Sequence, residues 1–294
     1  MLKFSKMHGC GNDYIYINGF TEKIDDHSGT ALKLSNRHFG IGSDGLIFIN
    51  PSEKADFEME MYNMDGSRAQ MCGNGIRCVG KYVYDKGLTD KTTITVDTLA
   101  GVKTLELKTQ NGKVREVTVD MGEPVIDPMK IPVSAEYAGI KNSIVNELLE
   151  VNGTDYRITC VSMGNPHAVI FIDYDESLLK LSKIGPLFEN HEAFPERINT
   201  EFVRIRDKKN IDMRVWERGS GETFACGTGA CASVVAAVLN GLTEDEVTVR
   251  LQGGELKVHW DREAGHVFLT GPAETVFDGE IEEVFEPVEN FPEK

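Results

Sequence analysis

Cys72-Gly73-Asn74-Gly75 returns as Cys226-Gly227-Thr228-Gly229, 154 residues further along a chain of 294. The flanks return with it. Gly11-Asn12 opens the apolar run Tyr14-Ile15-Tyr16-Ile17, and Gly164-Asn165 opens Ala168-Val169-Ile170-Phe171, 153 residues on. Met59-Glu60-Met61-Tyr62 corresponds to Met213-Arg214-Val215-Trp216 at 154, and Gly45-Leu46-Ile47-Phe48-Ile49 to Glu201-Phe202-Val203-Arg204-Ile205 at 156. A single long period marks a duplicated domain, since a solenoid shows many short ones. Two related halves predict one cleft between them, and ligand sites favour such clefts.

With 40% apolar and 27% charged residues the chain reads as an ordinary globular protein, long enough for two cores. A net charge of −16 argues against nucleic acid as a partner, because polyanion binding needs a basic face. The segment Met1 to Cys10 carries Lys3 and Lys6 but no apolar core of signal-peptide length. The longest uncharged stretch, Ala225 to Asn240, is short for a bilayer span and is broken by Gly, Thr and Ser. The expectation is a cytoplasmic protein that does not enter a membrane.

Six cysteines allow fifteen disulfide pairings, but a large chain with no export signal is expected to keep its thiols reduced. The spacings C-x5-C and C-x4-C, without a CxxC or a paired-histidine motif, do not suit a structural zinc site, so no metal is expected. Cys78, Cys160 and Cys231 sit in apolar surroundings and read as small core residues.

Residues 56–62 read as a strand, 63–67 as a turn, and 75–84 as a helix stopped at Gly87. The order repeats with a strand over 211–216, a turn over 217–221 and a helix over 230–239. Each cysteine of the repeat thus stands ahead of a helix, with glycines that let the backbone approach a ligand. A helix N-terminus is expected to lower a thiol's pKa toward neutrality. Its N–H groups can hold a carboxylate and stabilise the charge that develops when the neighbouring carbon loses its proton. A thiolate on one face of a carbon and a thiol on the other can remove and return a proton with inversion. Gly40-Ile41-Gly42-Ser43-Asp44-Gly45 spells G-x-G-x-x-G, but a helix-like segment over 31–38 precedes it and a strand over 46–49 follows, the reverse of a dinucleotide site.

At this point the chain resembles the diaminopimelate epimerases, over nearly its whole length. The motifs that carry the resemblance begin with Lys6-Met7-His8-Gly9, Gly11-Asn12-Asp13, Asn36-Arg37-His38 and Asp65-Gly66-Ser67. Met71 through Cys78, Met121-Gly122-Glu123-Pro124, Ser162-Met163-Gly164-Asn165-Pro166-His167 and Phe194-Pro195-Glu196-Arg197 continue it, and Glu217-Arg218-Gly219 with Ala225 through Cys231 ends it. The resemblance implies an isomerase that interconverts LL- and meso-diaminopimelate without pyridoxal phosphate or any other cofactor, in lysine and peptidoglycan precursor biosynthesis. It makes Cys72 and Cys226 the acid and base, and puts the reacting carboxylate on the backbone at Gly73, Asn74, Gly227 and Thr228. Asn12, Asn63, Asn165, Asn199, Glu217 and Arg218 would bind the rest of the substrate, a zwitterion at each end. His167 and Glu217 would tune the thiols. A homodimer is implied by the resemblance alone.

The same residues have duller readings. Asn12 and Asn165, each after a glycine, are also good turn residues. His167 could be a satisfied structural histidine, and Glu217 with Arg218 a surface ion pair. Gly45 stands where some relatives carry a glutamine that touches substrate, and Cys10 where an aliphatic residue is usual; Cys10 is expected to be a bystander. Three other functions compete: a proline or hydroxyproline racemase-type enzyme, a redox protein using a Cys72–Cys226 disulfide, and a ligand-binding protein without catalysis. The expected architecture is α+β, two pseudo-symmetric halves at residues 1–122 and 123–274, each a curved, barrel-like mixed β-sheet wrapped around a central helix, with the active site in the cleft. A segment of about 275–294 is expected to return to the first half, and beyond Ile281 the acidic tail with Pro287 and Pro292 reads as a poorly ordered extension.

Overall fold

A computed structural model describes residues 1–282, and the acidic tail singled out above lies outside the described residues from residue 283 onward. The chain divides into two compact units, one of residues 1–117 with the segment from Ala273 onward, the other Thr118–Pro272.

The first unit opens with β1 (Leu2–Gly9), β2 (Asn12–Asn18), α1 (His27–Leu34), β3 (Gly45–Asn50), β4 (Phe57–Asn63) and the short β5 (Arg68–Ala69). It continues with α2 (Gly73–Asp85), β6 (Thr93–Asp97) and β7 (Lys103–Gln110), and β8 (Lys113–Gly122) carries the chain into the second unit. That unit contains α3 (Ala135–Ala138), β9 (Glu147–Val151), β10 (Thr154–Ser162), β11 (Pro166–Ile172), α4 (Leu181–Glu189) and β12 (Asn199–Asp207). After these come β13 (Asn210–Glu217), β14 (Gly221–Thr223), α5 (Gly227–Leu239), β15 (Glu246–Leu251), β16 (Gly254–Trp260) and β17 (Val267–Pro272). The last strand, β18 (Glu274–Ile281), returns to the first unit and pairs antiparallel with β1.

The duplication is written in the ladders. In the first unit β1–β2 is antiparallel, β2–β3 parallel, β3–β4 and β4–β5 antiparallel, β4–β6 parallel and β6–β7 antiparallel. In the second, β10–β11, β11–β12, β12–β13, β13–β14, β13–β15 and β15–β16 follow the same sequence of directions. The registers also correspond: Tyr14 lies beside Gly45 as His167 lies beside Asn199, and Leu46 faces Tyr62 as Thr200 faces Trp216. This corrects one correspondence read from sequence. Gly45 is matched by Asn199, two residues earlier than Glu201, and Ile47 is the residue that Glu201 replaces. Both strands are short apolar runs in which a slip of two keeps the same faces inward, so their composition alone does not fix the register.

Within each unit the strands pack around one helix. Residues of α2 pack on β1, β2, β7 and β18, with Ile76, Cys78, Val79 and Val83 fully enclosed. Helix α5 touches β10, β11, β12, β13, β15, β16 and β17. Its run Ala230 through Ala237 is buried on every side, the expected state of a helix that is apolar all round. Helix α1 starts earlier than its sequence suggests, because Asp26 caps it by accepting from the Gly29 N–H, and it ends at Leu34. The β1–β2 hairpin turns on Cys10 (φ 53°) and Gly11 (φ 83°), two left-handed residues in succession as a primed hairpin turn requires. No helix among the described residues is long and apolar enough to cross a membrane.

Candidate active site

Cys72 is itself the N-cap of α2, extended at φ −130° and ψ 122°, and the helix begins at Gly73, two residues earlier than the sequence reading places it. The sulfur accepts from the Gly75 N–H at 3.4 Å and donates to Asn12 Oδ1 at 3.1 Å. Asn12 is held in that orientation from behind, because its Nδ2 donates to Asp44 Oδ2 at 2.7 Å. Arg37 clamps the support by donating to Asp44 Oδ1 and Asp13 Oδ1, each at 2.7 Å, and Lys6 pairs with Asp13. Burial works against the Asp13 carboxylate, but the bonds from Arg37 and Lys6 outweigh it and hold the carboxyl below its usual range. Tyr14, 4% exposed, projects from the same face of β2 as Asn12, and burial, reinforced by the nearby Cys72 and Asp44, raises its phenol well above the ordinary value. Behind the first turn of α2, the wholly buried Arg77 donates to the Gly73 carbonyl and Asn74 Oδ1, both at 2.9 Å, and stiffens the backbone that carries Gly73 and Asn74. Its Nη2 also lies 3.9 Å from the buried Cys10 sulfur. Asn63 sits at the end of β4, where its side chain donates to Ser67 Oγ at 3.0 Å.

Cys226 caps α5 in the same extended conformation, φ −118° and ψ 111°, with Thr228 Oγ1 at 3.5 Å from its sulfur. Its surroundings are charged where those of Cys72 are neutral amides and a phenol. His167 is wholly buried, with Nδ1 2.6 Å from Glu201 Oε1 and Nε2 3.0 Å from Asn165 Oδ1. Glu217 accepts from the Thr223 hydroxyl, and its carboxyl lies close enough to Cys226 to act on the thiol. Burial, reinforced by the Glu217 and Glu201 carboxylates, pushes the Cys226 thiol well above its ordinary value, and burial raises the Glu217 carboxyl as well. The expectation that a helix end lowers this thiol is therefore corrected. A helix terminus supplies about half a charge, which does not match complete desolvation plus two nearby anions.

The loop after β13 is held from below. Glu189, buried in α4, accepts from Trp216 Nε1 at 2.7 Å, from the Gly219 N–H at 2.9 Å and from Arg197 at 3.1 Å. Asn199 is 4% exposed and both ends of its amide are used within the protein: Nδ2 donates to the Pro166 carbonyl at 2.7 Å, and Oδ1 accepts from the Arg218 N–H at 2.9 Å. It thus holds the Arg218 backbone. The Arg218 side chain donates to the Glu196 carbonyl at 2.9 Å.

In the first unit Asn12, Gly73 and Asn74 gather at Cys72, with Asn63 at the strand end opposite Gly45. In the second, Glu217, Gly227 and Thr228 gather at Cys226, His167 and Asn165 join them through Glu201, and Asn199 and Arg218 are joined to each other. Four contributors escaped the sequence reading: Tyr14, Asp44, Arg77 and Glu201. Tyr14 stands at the repeat offset from His167, so the repeat itself contains the signal; the other three reach their partners only through strand register and helix packing. At Gly45 a Cβ would lie 2.1 Å from the Tyr62 carbonyl oxygen and 2.8 Å from Tyr14 Cε1, so the β4 backbone and the Tyr14 ring together leave no room for a side chain.

A family model for diaminopimelate epimerase matches residues 4–126 and 159–276. The diaminopimelate epimerase of Acetivibrio thermocellus is 55% identical over 281 residues, 96% of this chain and 99% of that protein. That of Agathobacter rectalis is 56% identical over 284 residues, with 96% and 99% covered. Among solved structures, a probable proline racemase from Agrobacterium radiobacter superposes with a TM-score of 0.71 at 14% identity, covering 96% of this chain and 93% of its own. A hydroxyproline epimerase from Agrobacterium vitis gives 0.67 at 14% identity, covering 95% and 90%. At that identity these two share a fold.

Proposed function

The chain belongs to the diaminopimelate epimerase family, and from that premise we propose that it interconverts LL- and meso-diaminopimelate by passing a proton between two thiols. It is an isomerase. The observation that carries the two-thiol reading is the equivalence of the half-sites: Cys72 and Cys226 cap α2 and α5 at matching points of two matching ladders.

The resting Cys226 is a neutral thiol, because deprotonating it would add an anion to a buried site that already faces Glu217 and Glu201. Cys226 is then the proton donor, and Cys72 in its thiolate form is the acceptor. The Cys72 thiolate takes the proton from the α-carbon, the electron pair is left on that carbon and its carboxylate, and Cys226 delivers its proton to the opposite face. The products are the inverted carbon, a Cys72 thiol and a Cys226 thiolate, and the reverse reaction restores the start. The N-termini of α2 and α5 stabilise the charge on the carboxylate through their first-turn N–H groups and dipoles. Asn12, Asn63, Asn165, Glu217 and Arg218 bind the amino and carboxyl groups, and Asn199 positions Arg218. His167 and Glu217 set the balance between thiol and thiolate at Cys226. We place this activity in lysine and peptidoglycan precursor biosynthesis, in the cytoplasm, where the two reduced thiols it requires persist, and in a homodimer.

The test is incubation with LL-diaminopimelate in heavy water without pyridoxal phosphate. Deuterium at the α-carbon together with appearance of the meso isomer is expected, and Cys72→Ser and Cys226→Ser should each abolish inversion. Sustained inversion by either variant, or equal turnover of free proline, would overturn the reading.

A further inference from the structure

The two half-sites share backbone but differ in the group placed beside each sulfur. The residue on β2 that lies next to the β3 start is Tyr14, and its counterpart on β11 is His167. His167 belongs to a buried imidazole–carboxylate pair with Glu201; at the position of Glu201 the first unit has the aliphatic Ile47. The pattern is confirmed at the helices, since a Cβ on Gly75 would meet Ile47 Cδ1 at 2.8 Å and one on Gly229 would meet Glu201 Oε1 at 2.6 Å.

We propose that Tyr14 is a positioning residue for Cys72, whose phenol donates a hydrogen bond to Sγ and favours the thiolate there without bringing a charge into the half-site. This rests on the two-thiol reading for its role in turnover. The ring is fixed: it is almost fully enclosed and packs over Gly45, the one strand position beside it with no side chain. Two other groups already act on the sulfur, of which the Gly75 N–H donates to it at 3.4 Å. Asn12 Oδ1, turned toward the sulfur by Asp44, accepts from the thiol, so Asn12 serves the protonated state. A phenol O–H serves both states and binds the anion more strongly. The ionisable groups facing it include Cys72, Asp44 and the buried Tyr16 phenol, and Asp44 is tied to Arg37 in the network that includes Asp13 and Lys6. At Cys226 two carboxylates favour the thiol, and at Cys72 a phenol favours the thiolate. The first half-site is thus set as a proton acceptor and the second as a proton donor before any substrate arrives.

The proposal is tested by the pH dependence of iodoacetamide alkylation, followed at Cys72 and Cys226 separately by peptide mass spectrometry of the full-length protein. In Tyr14→Phe the Cys72 midpoint should rise by about one pH unit or more, the loss of a hydrogen bond to a charged group, while the Cys226 midpoint stays. The drop should appear in kcat and leave KM in place. With 3-fluorotyrosine at position 14, which keeps the ring and strengthens the donor, the midpoint should fall. An unmoved Cys72 midpoint in either protein overturns the proposal, whatever the turnover. The thiol measurement needs no substrate, so inversion surviving in Cys72→Ser would sink the two-thiol reading and leave this bond to be judged on its midpoint.

Discussion

At the scale of residues, the second half-site works by opposing charges at close quarters. Glu201 Oε1 is 2.6 Å from His167 Nδ1, and its Oε2 is buried without a hydrogen-bond partner. Part of its field therefore reaches Cys226. In Glu201→Gln the Cys226 alkylation midpoint should move down, because removing a neighbouring anion favours the thiolate; a midpoint that rises or stays would show that the carboxylate does not govern the thiol. The cysteines, Asn12 and Asn165 could be read from the repeat, whereas His167 and Glu217 entered only through the family resemblance. Asp44, Arg77 and Glu201 were not legible, because a charged residue next to an apolar run reads as a solvated face until the ladder shows which way it points. Asn199 was named as a substrate contact through the same resemblance, and its amide holds the Arg218 loop.

At the scale of elements, the strand–turn–helix order around each cysteine could be read from Gly and Asn placement, and the structure agrees within a few residues. Strand register could not, since apolar runs such as Leu46-Ile47-Phe48-Ile49 have no internal marker for a slip of two. The two helix starts make a paired prediction. Added carbon at Gly75 meets the ends of Ile47 and Met59 side chains, which can shift, whereas at Gly229 it meets the buried Glu201 carboxylate and the Cys226 sulfur at 3.3 Å. Gly75→Ala should keep turnover within about tenfold, and Gly229→Ala should lose on the order of a hundredfold or more, since misplacement of a reacting group by about 1 Å costs that much. Steady-state assays of both variants check this, and equal losses would contradict the difference between the half-sites.

At the scale of the whole molecule, the enclosed thiols link stability to pH. Burial raises Cys10, Cys160 and Cys226, and pushes Cys78 up to about 11. Above about pH 8.5 the unfolded chain loses these protons while the native protein keeps them, so stability must fall as pH rises, by up to about 1.4 kcal/mol per pH unit for each such thiol, until the native groups also ionise. The urea midpoint should drop between pH 8 and pH 10, and one that holds or climbs over that range would contradict the burial of these groups. The return of β18 to β1 bears on how the protein is made. The second unit is a continuous stretch of chain and has all its strands once Pro272 has left the ribosome. The first unit is translated earlier, yet until residues 274–281 emerge β1 keeps one bare hydrogen-bonding edge. The half that is synthesised first is therefore the half that is finished last, and the nascent chain must protect that edge for most of its time on the ribosome.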